Sequence, residues 1–311
     1  MKNKLKIKTK LRIRGRNVNL KVKESLESLI NISNYRRDHL IEYLHVIQDN
    51  IGYIDNEYMR ALADLLDISQ TEVYEVATFY HHFDVIKDKK DKPPALTVRV
   101  CDSLSCEING SEKLFQNLQQ YYKGTVRIQK VPCIGRCMSA PVAVVKFNPI
   151  DNAELKTVKK AIDEKRYEPN IPKYLSFKEY ISDDGYKTFE KIKNGEIDKK
   201  KVVEVLDKSN LRGLGGAGFP AGRKWKILMD QPSPRLLAIN IDEGEPGTFK
   251  DRYFLEKNPH KFFDGMLIAS EVVGIDKIYI YLRDEYAAVR KILTEEIKNL
   301  EKHFANKIPE I

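Results

Sequence analysis

The sequence predicts an α/β protein built in pieces: a small helical bundle, a compact α/β domain, then a second α/β region after a connecting stretch. Three observations carry this. Apolar residues recur at helical spacing between residues 24 and 83. Strand, helix, strand and strand patterns then follow one another in under about sixty residues. Beyond residue 211 a glycine-rich loop opens a further alternation of strands and helices. A length of 311 residues suits two domains, or three small ones.

Along the chain, residues 1–23 carry ten Lys or Arg side chains and no acid, alternating with Leu5, Ile7, Leu11 and Ile13. This is read as a basic N-terminal arm, a solvated tail or edge strand. In residues 24–90, Ile41, Leu44 and Ile47 mark one helix face, and Asn50-Ile51-Gly52 ends it. Asn56 is read as the cap of a second helix, and Ser69 or Thr71 as the cap of a third. Residues 91–150 open with the strand Leu96–Val100, followed by a helix at Ser111–Tyr122 and strands at Thr125–Ile128 and Val142–Val145. Residues 151–205, rich in Lys and Glu, are read as a linker with helices. Residues 206–311 hold the glycine loop, strands near 236–239 and 278–282, and helices near 261–273 and 286–303.

Composition excludes several classes. Hydrophobic residues are 42% and charged residues 32%, as in a soluble globular protein. No apolar run approaches the roughly 18 residues that span a bilayer, and the first residues lack a signal peptide's apolar core. A cytoplasmic protein without a membrane span is expected. The net charge of +9 comes from the arm, since the remainder holds 44 basic against 45 acidic residues. A whole-surface nucleic-acid binder is therefore not indicated.

All four cysteines, Cys101, Cys106, Cys133 and Cys137, fall in a C-x4-C and a C-x3-C pair. One pair follows a strand end and the other follows the next strand, which places both loops at one sheet edge. Four thiolates from two loops suit a [2Fe–2S] cluster, tetrahedral zinc or, at the simplest, structural thiols. The wide first spacing and the small Ser103, Ser105 and Gly135 favour the longer two-iron rhomb.

Residues Leu211 to Pro220, with Gly213, Gly215, Gly216 and Gly218, form neither a P-loop nor a good dinucleotide fingerprint. The backbone there is suited to close approach to a phosphate or a flat ring, with Lys224 placed to neutralise a phosphate. A plain flexible loop is the simpler reading. About twenty residues later, Asn240 to Arg252 includes Asp242, Glu243 and Glu245. Three carboxylates in four residues repel one another, which makes sense if they accept hydrogen bonds from ribityl, ribose or amide groups.

At these residues the sequence resembles a known family. Gly213 to Trp225 with Asn240 to Arg252 resembles the flavin- and NADH-binding subunit of respiratory complex I, a module also found in NAD-linked hydrogenases and formate dehydrogenases. Residues 24–150 resemble its thioredoxin-like [2Fe–2S] partner subunit, through Ile51-Gly52-Tyr53-Ile54, Val76-Ala77-Thr78-Phe79-Tyr80 and the cysteines. Both on one chain look most like the fused diaphorase subunit of such enzymes. The resemblance implies a helical bundle plus thioredoxin-like [2Fe–2S] domain, followed by an incomplete α/β FMN-binding domain, because the family continues beyond the point matching Ile311. It also implies three cofactors, [2Fe–2S], FMN and NAD(H). By resemblance Gly213, Gly215 and Lys224 contact the FMN phosphate, while Asn240, Asp242 and Glu243 hold its ribityl chain and ring edge. Phe219 stacks on the nucleotide, Glu245 contacts NADH as the catalytic-site residue, and the four cysteines ligate the cluster. Leu214 stands where the family has arginine. The function implied is an NADH dehydrogenase or diaphorase module, partnered by other iron–sulfur subunits of a multisubunit oxidoreductase. A non-catalytic [2Fe–2S] carrier that docks through its flavin domain is the alternative. A zinc-stabilised module with a nucleic-acid-binding arm is a third reading.

Overall fold

A computed structural model describes residues 17–80, 82–214 and 216–311. The chain divides into two compact units, with the break after Ala95.

The first unit contains α1 (Leu20–Ile30), α2 (Leu40–Ile51), α3 (Asn56–Leu66) and α4 (Gln70–Phe79). Most of the expected basic arm, residues 1–16, lies outside the described residues. Lys21 and Lys23 belong to α1, where Lys23 pairs with Asp64 at 2.7 Å. The apolar stripes converge on a core of Leu26, Leu44, Ile47, Met59, Leu62 and Val73. The start of α3 is capped one residue earlier than the sequence pattern predicts. Asp55, not Asn56, accepts from the Glu57 and Tyr58 amides at 2.9 and 3.0 Å, and a carboxylate there also suits the helix's positive end. Ser69 caps α4 in a reciprocal box with Glu72, both bonds being 3.1 Å. Asp55→Ala is expected to lower stability by about 1 kcal/mol, and an unchanged denaturant midpoint would count against the cap.

The second unit begins with a four-stranded sheet. Its elements are β1 (Thr97–Cys101), α5 (Leu104–Ile108), α6 (Ser111–Tyr122), β2 (Arg127–Val131), β3 (Ala143–Val145), β4 (Asn148–Ile150) and α7 (Leu155–Asp163). The strand order is β2-β1-β3-β4. β1 and β2 run parallel, with Cys101 opposite Val131, and the other two pairings are antiparallel. Val98, Val100, Leu114, Leu118 and Val145 form the core under the helices.

Four helices occupy residues 151–208: α7, then α8 (Phe177–Ser182), α9 (Lys187–Lys193) and α10 (Lys199–Lys208). Their few apolar residues are put to use on either side. Val158 and Ala161 of α7 enter the four-stranded sheet's core. Tyr186 and Phe189 enter the core of the following α/β region, and Ile192 and Val203 pack with Val272. The stretch is thus shared between the flanking cores. Low apolar content hides this, because one or two anchors per short helix leave no periodic signal.

The last part comprises α11 (Ala221–Met229), β5 (Leu236–Ile241), α12 (Lys250–Leu255), α13 (Pro259–Val273), β6 (Lys277–Leu282) and α14 (Ala287–Phe304). β5 and β6 pair in parallel, Leu236 opposite Lys277 through Ile241 opposite Leu282. A buried polar chain ties the incoming segment to α13 and α14. His260, fully buried, meets the Tyr186 hydroxyl at 2.7 Å and Glu296 at 3.1 Å, and Tyr174 donates to Glu296 at 2.8 Å. Burial holds the His260 imidazole below its ordinary pKa. Gly222 lets α11 approach α10 closely, since a Cβ there would lie 2.4 Å from Asp207 Oδ1. Among the described residues, no helix is long and apolar enough to cross a membrane.

Candidate functional site

The parallel register of β1 and β2 puts their carboxyl ends at one end of the sheet, and the cysteine loops leave from there. Cys101 closes β1, and Cys106 lies on α5. Cys133 and Cys137 bracket the loop after β2, with their sulfurs 3.4 Å apart. Cys101, Cys106 and Cys133 are buried and Cys137 is partly exposed; all four are free thiols. The Cys106 thiol donates to Cys101, which brings Cys101 down to about 6 and pushes Cys106 up. Burial raises Cys133 to about 11. Cys106 feels the charge of Cys137, and Cys133 that of Cys101, so the two pairs neighbour one another.

This donor set consists of two pairs, not one nest. Among the described residues, no three Cys, His, Asp or Glu side chains surround a point where a single metal ion could sit. A zinc ion needs all four sulfurs around one centre, whereas a [2Fe–2S] rhomb takes two thiolates at each iron. The paired arrangement fits the rhomb.

The glycine loop closes on itself. Arg212 bridges to Pro220, the Gly213 amide donates to the Phe219 carbonyl at 2.9 Å, and Arg212 Nη1 donates to the Gly218 carbonyl at 3.1 Å. Gly216 and Gly218 have φ of 89° and 57°, and a Cβ on either would meet nothing within 4 Å. The glycines are therefore required by conformation, and the loop leaves open space for a close ligand. Gly215 lies outside the described residues. Gly213, Phe219 and Lys224 are exposed, with Arg223 over the Phe219 ring at 6.0 Å.

The loop precedes α11, and β5 follows after a short connection. Ligands of open α/β sheets bind outside the carboxyl ends of the strands. The acidic turn leaves β5 at that end. Asn240 Oδ1 accepts the Asp242 amide at 2.8 Å, and Asp242 and Glu245 are exposed. Glu243 behaves differently. It is 4% exposed, and its carboxylate accepts from the Asp251 and Arg252 amides at 3.0 to 3.3 Å and from the Tyr286 hydroxyl at 3.0 Å. It fixes the turn from beneath.

Residues with no local sequence signal join this turn to the second cysteine loop. Arg283, just past β6, is buried; Nη2 donates to the Cys133 carbonyl at 2.6 Å and Nη1 to the Glu243 carbonyl. Its charge is balanced by Glu285 at 2.9 to 3.0 Å. Arg252 Nε donates to the Gly135 carbonyl at 3.0 Å. Tyr286 packs so closely that a Cβ on Gly135 would lie 2.4 Å from its hydroxyl. The Gly247 amide donates to Cys137 Sγ at 3.2 Å. Arg283 follows the end of β6 much as the acidic turn follows β5, but a strand-end position alone does not single out its side chain.

Paired thiols thus sit at the edge of a small mixed sheet, bonded to an α/β region that carries an open glycine loop. Residues 26–166 match the family model of the thioredoxin-like [2Fe-2S] ferredoxin, and residues 206–309 match that of the Nuo51 FMN-binding domain. The chain is 44% identical over 131 residues to an NADH-quinone oxidoreductase polypeptide of Aquifex aeolicus, covering 42% of this chain and 30% of that protein. It is 28% identical over 305 residues to the alpha subunit of the NAD-reducing hydrogenase HoxS of Cupriavidus necator, covering 86% of this chain and 50% of the relative. A crystal structure of an NAD+-reducing [NiFe]-hydrogenase in the H2-reduced state superposes with a TM-score of 0.70 at 23% identity, over 87% of this chain and 50% of that one. That likeness shows a shared fold. The chain spans half or less of the length of these relatives.

Proposed function

We propose that the chain is the electron-input module of a multisubunit NAD-linked oxidoreductase, acting in the cytoplasm with further iron–sulfur subunits. The observation that carries this is the direct junction between the acidic turn and the Cys133–Cys137 loop. Arg283 holds a carbonyl of each, which sets the acidic turn and the thiol pairs side by side and supports this reading. Bound FMN supplies the exchange between two-electron hydride chemistry and one-electron transfer.

In this reading the glycine loop, with Gly213 and Gly215, and the Lys224 ammonium hold the FMN phosphate. Asn240 and Asp242 accept from its ribityl hydroxyls. Glu243, with its carboxylate committed to the turn, places these groups and the ring edge. Phe219 offers a flat face to the nicotinamide nucleotide, and Glu245 accepts from it as the catalytic-site residue. Cys101, Cys106, Cys133 and Cys137 hold the [2Fe–2S] cluster.

The test is FMN titration by fluorescence quenching, followed by NADH oxidation with ferricyanide as acceptor. Lys224→Gln is expected to weaken FMN binding about tenfold, equivalent to about 1.4 kcal/mol. Glu245→Gln is expected to slow NADH oxidation with the cluster spectrum unchanged. A chain that binds its cluster but no FMN would instead be an electron carrier that docks through its flavin domain.

A further inference from the structure

Two cysteine sulfurs accept hydrogen bonds from backbone amides, and the donors come from different places. Cys133 is served by Gly135 at 3.4 Å, from its own loop in the thioredoxin-like domain. Cys137 is served by Gly247, at 3.2 Å, from the acidic turn of the flavin domain.

The sequence around Gly247 explains why its amide is free to do this. Glu245-Pro246-Gly247-Thr248 closes with the Thr248 amide donating to the Glu245 carbonyl at 3.1 Å. Proline at the second position and a glycine with φ of 89° at the third are the marks of a type II turn. In such a turn the third residue's amide is not used by the turn itself. Here it points at the Cys137 sulfur. The turn is held in place by Glu243, whose carboxylate and carbonyl are fixed by Tyr286 and Arg283. Arg283 and Arg252 hold the cysteine loop from the same side.

We infer that the Gly247 amide is a potential-setting contact for the [2Fe–2S] cluster, so that the flavin domain's own turn fixes the cluster's reduction potential. This rests on the four cysteines holding that cluster. Reduction adds one negative charge to the cluster and its thiolates. An amide donor on a ligand sulfur stabilises the more negative state, and the potential rises. Gly247 is a positioning residue in this scheme, since it acts through Cys137.

The experiment is an EPR-monitored redox titration of the full chain carrying its cluster, with dithionite as reductant. Valine cannot adopt a φ near +90°, so Gly247→Val withdraws the amide; Gly247→Asn tolerates the turn and keeps it. The valine variant is expected to lower the reduced-to-oxidised ratio at a fixed potential at least tenfold, a shift of about 59 mV for one electron. The asparagine variant is expected to titrate with the parent. Coincident midpoints for the parent and the valine variant overturn the inference. Because the valine variant could fail to assemble, a second measurement stands alone: hyperfine spectroscopy of the reduced parent labelled with 15N-glycine. Two coupled glycine nitrogens, one of which is lost in Gly247→Asn, support the contact. A single coupling, unchanged in that variant, overturns it. A parent with no [2Fe–2S] signal would instead refute the reading of the cysteines.

Discussion

Replacing Cys133 with alanine is expected to abolish the cluster while leaving the chain folded. Cys133 and Cys137 form one sulfur pair at 3.4 Å, and one iron of a two-iron rhomb needs both. No other thiol exists in the sequence to substitute, since all four cysteines are already committed to the two pairs. The side chain is small, so its loss leaves a minor cavity of about a kcal/mol or two. The strands Thr97–Cys101 and Arg127–Val131 keep their own core of Val98, Val100, Leu114 and Leu118. Iron content and visible absorbance should fall essentially to zero, with the far-ultraviolet dichroism retained. Retention of a full complement of iron in the variant would show that the cluster is held elsewhere.

Gly135→Val is expected to break the junction between the two domains. The glycine has φ of 73°, which a β-branched residue avoids, and its Cβ would lie 2.4 Å from the Tyr286 hydroxyl and 2.6 Å from the ring. Tyr286 cannot retreat easily, being buried and bonded to Glu243. Backbone strain and overpacking together are expected to cost about 3 kcal/mol or more. The loss spreads, because the Gly135 carbonyl is also the acceptor for Arg252. FMN affinity and cluster retention should fall together in this variant. A variant with wild-type unfolding and both cofactors would mean that the loop and Tyr286 are not packed as described.

Much of this was legible in the sequence, for identifiable reasons. The four cysteines announce themselves by spacing, and the strand before each pair tells which edge they share. Ser69 with Glu72 is a capping box written in local order. The glycine loop reads as a site of close approach because positive φ at Gly216 and Gly218 is a backbone property that only glycine supplies freely. What escaped the sequence was long-range. Arg283 and Tyr286 lie far along the chain from the cysteine loop they clasp, with 150 residues separating Arg283 from Cys133. A buried arginine looks no different in sequence from a surface one. Glu243 stood among three carboxylates of equal appearance. Only the fold shows that it is turned inward while Asp242 and Glu245 face solvent. Residues 151–205 looked like a linker because each short helix contributes one or two anchors, such as Val158 or Phe189, to a core built mainly by others.

In the proposed function one polypeptide places a [2Fe–2S] cluster beside an NADH-reducible flavin. The deciding measurement is to purify the chain anaerobically, record its visible spectrum, measure released FMN by fluorescence and then add NADH. The expected result is [2Fe–2S] bands, FMN in proportion to the chain, and bleaching of the flavin by NADH. A colourless, zinc-containing protein, or one whose cluster bands come without flavin even when FMN is supplied, would contradict it.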